Sequence, residues 1–166
     1  MLEQIGHLNR DSNTILFTRL SENDVCIITV NSFLNFRKQV GKLCFELYGI
    51  GNKRYGYLEI EADYYDLGTA KDILLKQLRI NDIVFGKQYC GQGYGSLLMA
   101  EALHYIAHLF GESVTIVGYL SSVDEADDDN RLRRNRFYQK FGFNVQNERI
   151  VLNGIPLEMV KDYTNK

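Results

Sequence analysis

Residues 78–109, LRINDIVFGKQYCGQGYGSLLMAEALHYIAHL, decide how the chain reads. An apolar run from Ile80 to Phe85 has the pattern of a strand. A short polar link leads to Gly91-Gln92-Gly93-Tyr94-Gly95, after which Leu97, Leu98, Ala102, Leu103, Ile106 and Leu109 recur at helical spacing. Strand, glycine loop and helix together make an anion-binding arrangement. Glycines let the backbone turn tightly and approach a ligand, while the unpaired N–H groups of the first helical turn point outward at the positive end of the macrodipole. A phosphate or pyrophosphate suits such a place. A Walker A loop is excluded, because it ends in Gly-Lys-Ser/Thr and Gly95-Ser96 lacks the lysine. The dinucleotide fingerprint fits poorly, because its third glycine stands at a different interval from that in Gly91-x-Gly93-x-Gly95.

The 166 residues suit a single domain over 1–166, long enough to bury a sizeable core, with 1–13 expected as a loose arm. A hydrophobic content of 45% with 24% charged residues is ordinary for a globular chain. The net charge of −2 argues against a nucleic-acid footprint, so no nucleic-acid partner is expected. No apolar segment approaches the roughly 20 residues of a membrane helix, and Met1-Leu2-Glu3-Gln4 has neither the basic flank nor the apolar core of a leader. A cytoplasmic protein with no membrane partner is therefore expected. Cys26, Cys44 and Cys90 make no disulfide framework, and free thiols are expected.

Regular structure is expected from Thr14. Ile15–Leu20 forms a strand-like run, Ser21-Glu22-Asn23-Asp24 a turn, and Val25–Val30 a β-branched run that suits a second strand. Leu43–Tyr48 and Tyr55–Glu61 flank Gly49–Arg54 as a hairpin. Residues 63–72 are a candidate substrate-side loop or a plain connection, and Ile73–Phe85 supplies the central strand. Gly111 is a C-cap for the helix, and Val114–Leu120 the next strand. The acids at 127–129 precede Arg131–Lys140, a distribution that suits a helix macrodipole. Phe143–Leu152 and Pro156–Lys161 are expected to close the sheet as a pair of strands.

Tyr89-Cys90-Gly91-Gln92-Gly93-Tyr94-Gly95-Ser96-Leu97-Leu98 resembles the pyrophosphate loop of the GCN5-related N-acetyltransferases (GNAT family). Cys90 stands where that family most often has Arg or Gln; a second register, Gln88-Tyr89-Cys90-Gly91-Gln92-Gly93, would use the glutamine. Some forty residues on, Phe137-Tyr138-Gln139-Lys140-Phe141-Gly142-Phe143 is similar to the family's Phe-Tyr-x-Lys-x-Gly-Phe phrase. Two such motifs in order, with a strand between, make the resemblance specific. It implies an α/β (α+β) fold, a GNAT-like mixed and mostly antiparallel central sheet flanked by helices on both faces. Arg19-Leu20-Ser21-Glu22-Asn23-Asp24 is similar to a family phrase that precedes a helix, which would make 25–40 largely helical instead of a strand.

The resemblance also implies an acyltransferase with acetyl-CoA as co-substrate, a small-molecule or peptide amine as acceptor, no metal, and a possible homodimer. Amine attack on a thioester needs a neutral amine, a stabilised oxyanion and a protonated leaving thiolate. Tyr138 matches the family's tyrosine; a phenol of reference pKa about 10 can donate to a thiolate whose conjugate acid lies near 8.5. Positions matching the splayed central strand are Ile83, Val84 and Phe85, and the pyrophosphate is expected on Gly91, Gln92, Gly93, Tyr94, Gly95 and Ser96. A glutamate that some relatives place on the central strand is Arg79 here. Asp82 and Glu59 are then the candidate bases, with Glu46 and Glu61 as further strand acids. His104 and His108, four apart on the helix, are read as solvated or partly packed side chains and not as metal ligands. Cys90 is read as a loop residue and the acidic run 124–129 as a solvated cap; Asn130 stands one residue out of register with an asparagine that contacts CoA in the family. A catalytically degenerate acyl-CoA-binding sensor or scaffold is the alternative to an enzyme.

Overall fold

The computed structural model describes residues 14–21, 24–35, 40–49, 51, 53–65, 74–120, 127–156 and 158. In chain order these form β1 (Thr14–Ser21), β2 (Asp24–Asn35), β3 (Val40–Tyr48), β4 (Arg54–Tyr65), β5 (Leu74–Phe85), a 3-10 turn (Lys87–Tyr89), α1 (Tyr94–Phe110), β6 (Thr115–Tyr119), α2 (Asp128–Gln139), β7 (Asn144–Gln146) and β8 (Arg149–Asn153). All eight strands belong to one mixed sheet, ordered β1-β2-β3-β4-β5-β6-β8-β7. Neighbours run antiparallel except β5 and β6, which α1 connects as a parallel crossover.

Alternation assigns the two faces. Leu43, Phe45 and Leu47 on β3 and Leu58, Ile60 and Ala62 on β4 are buried, and they pack with Leu98, Met99, Ala102, Leu103 and Ile106 of α1. The intervening residues make the opposite face polar: Lys42 pairs with Glu59 (2.7 Å), Arg54 with Glu46 (2.6 Å), and Arg79 with Glu61 (3.0 Å) and Asp63 (3.1 Å). On β5 the alternation changes phase. Glu59 lies opposite Asp82 while Ile60 lies opposite Ile80, so Asn81 is an extra residue, a β-bulge. Before it Leu78 and Ile80 point to the core; after it Ile83 and Phe85 do. The bulge falls where β5 parts from β6, whose pairing ends at Ile80↔Gly118.

Several expectations need correcting. Residues 24–35 are a strand, which removes the helical alternative. Ile28 and Val30 are fully buried, and Val30 sits opposite Phe45, so β-branched residues gain more from the sheet than from a helix. The closing pair of strands is β7 and β8, folded over Asn147 and Glu148, both at positive φ (46° and 60°). No glycine marks that turn in the sequence, which is why 143–152 reads as one run. Among the described residues the last strand ends at Asn153, and Gly154–Pro156 is not strand. Of the expected loop 63–72, residues 63–65 instead complete β4, where Asp63 and Tyr64 pair with Gln77 and Leu75; residues 66–72, the loose arm 1–13, the acidic residues 124–126 and positions 157 and 159–161 lie outside the described residues. Cys26 is buried, Cys44 half-buried and Cys90 exposed, and all three are free thiols.

Candidate active site

The glycine loop is built by its neighbours. After Phe85 the Gly86 N–H donates to the Tyr55 carbonyl (3.2 Å), and the 3-10 turn closes with Tyr89 N–H on Gly86 O (2.8 Å). Gly91 (φ 76°) and Gly93 (φ 88°) take left-handed conformations that side chains oppose, and they turn the chain into α1. Gly93 occupies the N-cap and offers no side-chain acceptor, so the first-turn amides of α1 keep no cap of their own. Tyr55, Tyr89 and Tyr94 pack ring on ring behind the loop (centroids 4.3 Å and 4.7 Å from Tyr55), and the Lys53 ammonium lies 5.5 Å over Tyr89.

Where β5 and β6 diverge, a cavity of about 820 Å³ opens. One wall is the β5 segment Ile80–Phe85. A second is the glycine loop with Gly91, Gly93, Gly95 and Ser96, and a third is one face of α2 carrying Asn130, Arg133, Arg134, Phe137 and Tyr138. Beyond the last β6 pair, alternate residues of β5 have backbone N–H and C=O groups directed to the side that β6 has left. Tyr138 is buried, with its ring edge-to-face against Phe143 (5.7 Å) and Phe137 (5.1 Å).

The cavity sorts the sequence candidates. Ile83, Val84, Phe85, Gly91, Gly93, Gly95, Ser96, Asp82 and Tyr138 all line it. Gln92 and Tyr94 do not: the Gln92 amide donates back to the Gln88 carbonyl (2.6 Å), and Tyr94 is buried against Tyr55. Glu59 does not line it either: it lies on β4, one strand further from the β5–β6 opening than Asp82, its partner across the pair. The Lys42 hydrogen bond lowers the pKa of Glu59 below its ordinary value, and Glu59 in turn raises that of Lys42. Asp82 is exposed and accepts a hydrogen bond from the Tyr57 hydroxyl (3.1 Å); desolvation, followed by that bond, raises the Tyr57 pKa, so the phenol stays a donor.

Arg133, Arg134, Phe137 and Tyr119 were not anticipated, and Asn130, discounted for its register, is on the wall. Counting back from Tyr138 in steps of three and four reaches 134 or 135 and then 130 to 132, so helical period picks out Arg134 and Asn130 of that face but not Arg133. His104 corrects another expectation: it is buried, with Nδ1 3.8 Å from Glu101, whereas His108 is exposed. Among the described residues no group of three or more His, Cys, Asp or Glu stands together as a metal site, and no helix is long and apolar enough to cross a membrane.

A family model described as an acetyltransferase (GNAT) domain matches residues 41–145. The chain belongs to the GNAT family. The match takes in β3 to β7, and hence the whole cavity. A solved GNAT-family acetyltransferase structure from Desulfovibrio desulfuricans is similar at 14% identity and TM-score 0.50, covering 68% of each chain; at that identity it shows the fold alone. A chimera of spermidine N-acetyltransferase from Vibrio cholerae and hSSAT gives 11% and 0.48, covering 75% of this GNAT domain's chain and 70% of its own. The KacTA–DNA complex gives 13% and 0.47, covering 67% of each. No curated protein matches the sequence significantly. The expected absence of a nucleic-acid partner does not stand: the KacTA structure and an AtaT–AtaR structure, both among the solved structures similar to this chain, are complexes with DNA. A net charge of −2 averages over the molecule and does not decide the matter.

Proposed function

We propose that this GNAT domain transfers the acetyl group of acetyl-CoA to a primary amine by direct attack, with Tyr138 as general acid and Asp82 as the base or the anchor of its water. One observation carries the reading: uncapped amides of the glycine loop, the free edge of β5 and the Tyr138 side chain line a single cavity. Loop amides at a helix N-terminus favour a pyrophosphate. The β5 edge offers backbone groups to an extended amide-bearing arm and to the developing oxyanion, and a buried phenol excludes water from the thiolate it protonates. Asp82 is preferred to Glu59, because a carboxylate held by Lys42 and placed off the cavity is a poor proton acceptor there.

The test is a thermal-shift titration with acetyl-CoA, CoA and ATP, followed by thiol release against pooled amines. Ligands that bind the native state raise the melting temperature by mass action. Stabilisation by both CoA species with amine-dependent thiol release is the expected result. Stabilisation without release from any pool would favour a binding module, and no stabilisation by either CoA species would refute the reading.

A further inference from the structure

The N-terminus of α2 is built to aim one arginine. Asp127 caps the helix: its Oδ1 accepts from the N–H groups of Asp129 (3.0 Å) and Asn130 (3.2 Å), and its Oδ2 from the Asn130 side-chain amide (2.8 Å). That third bond orients the Asn130 amide, whose oxygen then accepts from the Arg133 guanidinium at 2.7 Å. Asn130 and Arg133 both line the cavity. Arg131, two residues away, does not line it and is paired with Asp128 at 2.7 Å.

The neutral Asn130 amide orients the Arg133 guanidinium without cancelling its charge, and the guanidinium's flat set of donors matches phosphate oxygens. The glycine loop supplies only neutral N–H groups and the roughly half positive charge of a helix end. A nucleotide-linked donor carries several negative charges, so a fixed cation on the facing helix completes the site. Resting on the acetyl-CoA reading above, we infer that Arg133, oriented through Asp127 and Asn130, binds phosphate of the donor, so that this chain recognises the donor's nucleotide end by side chain as well as by backbone. The phosphate is either the pyrophosphate or the ribose 3′-phosphate.

The experiment is calorimetric titration of CoA, 3′-dephospho-CoA and pantetheine into wild type, Arg133→Ala and, as a control of equal charge change, Arg131→Ala. Arg133→Ala is expected to weaken CoA about tenfold and leave pantetheine unchanged, as loss of a charge-assisted hydrogen bond implies. Arg131→Ala is expected to bind CoA as wild type does, and added salt to weaken wild type more steeply than Arg133→Ala. A loss that disappears with 3′-dephospho-CoA assigns Arg133 to the 3′-phosphate, and an equal loss with both nucleotides assigns it to the pyrophosphate. Equal CoA affinity in Arg133→Ala and wild type overturns the inference while leaving the acetyl-CoA reading intact, and so does an equal loss for CoA and pantetheine. A wild-type protein that binds no CoA overturns both together.

Discussion

Tyr138→Phe isolates one atom in a packed setting. The ring is 6% exposed and lies edge-to-face with Phe143 at 5.7 Å and Phe137 at 5.1 Å, contacts that phenylalanine retains. Folding should lose only the net worth of a hydroxyl hydrogen bond, about 1 kcal/mol. Catalysis should lose the general acid, a factor of about 100 to 10,000 in kcat, equivalent to roughly 3–5 kcal/mol of barrier. With the donor held by the glycine loop and the β5 edge, as proposed, the hydroxyl takes no part in binding, so the CoA dissociation constant should stay within about twofold. Urea denaturation, CoA titration and thiol release on the same preparation read the three quantities separately. A donor with a more acidic thiol needs less protonation on departure, so the variant's deficit should shrink with such a donor. Retention of the wild-type rate with Tyr138→Phe would refute the acid role, and a rate loss matched by an equal loss of CoA affinity would show that the hydroxyl holds the ligand.

Three further outcomes follow from the geometry. At Gly56 an added Cβ would run into the Val84 carbonyl oxygen and the Phe85 ring, so Gly56→Ala should overpack by roughly 1–3 kcal/mol, lowering the urea midpoint and, because both neighbours line the cavity, CoA affinity as well. Gly91 is at φ +76° with nothing within 4 Å of an added Cβ, so Gly91→Ala should cost about 1 kcal/mol of backbone strain without a clash, with asparagine there less costly than alanine in the same denaturation assay. Lys42 lowers the pKa of Glu59 from its ordinary 4.5, so the stability that Glu59 contributes is full above about that pH and is lost as the pH falls through the lowered folded value. Lys42→Met should therefore be less stable than wild type at pH 7, with the gap closing on acidification; a gap independent of pH between 7 and roughly 3 would mean the pair is not what Lys42 contributes.

Much of the architecture was legible because its signals are local. The glycines at 91, 93 and 95 followed by Leu97 and Leu98 announce a turn into a helix wherever the rest of the chain lies; β6 appears within a residue of its pattern, while β3 begins three residues before its expected run and β4 ends four residues after its own. Arg19–Asp24 misled in the other direction, since a phrase similar to one that precedes a helix is followed here by β2. The β7–β8 turn was hidden because Asn147-Glu148 reaches positive φ without a glycine.

Sequence by itself determined the secondary structure around the glycine loop and the pair of motifs that carry the family, and it singled out Tyr138, which lines the cavity, because backbone periodicity and special φ values are properties of short stretches. Only the tertiary structure decided which acid reaches the cavity, since β5 is the strand that parts from β6, so Asp82 on it stands at the opening while Glu59 lies one strand further away on β4. Tertiary structure likewise put Asn130, Arg133 and Arg134 beside the loop, through the packing of Phe137 and Tyr138 on the sheet. A side chain's neighbours across a strand splay depend on register and helix rotation, and those are set by the whole core at once.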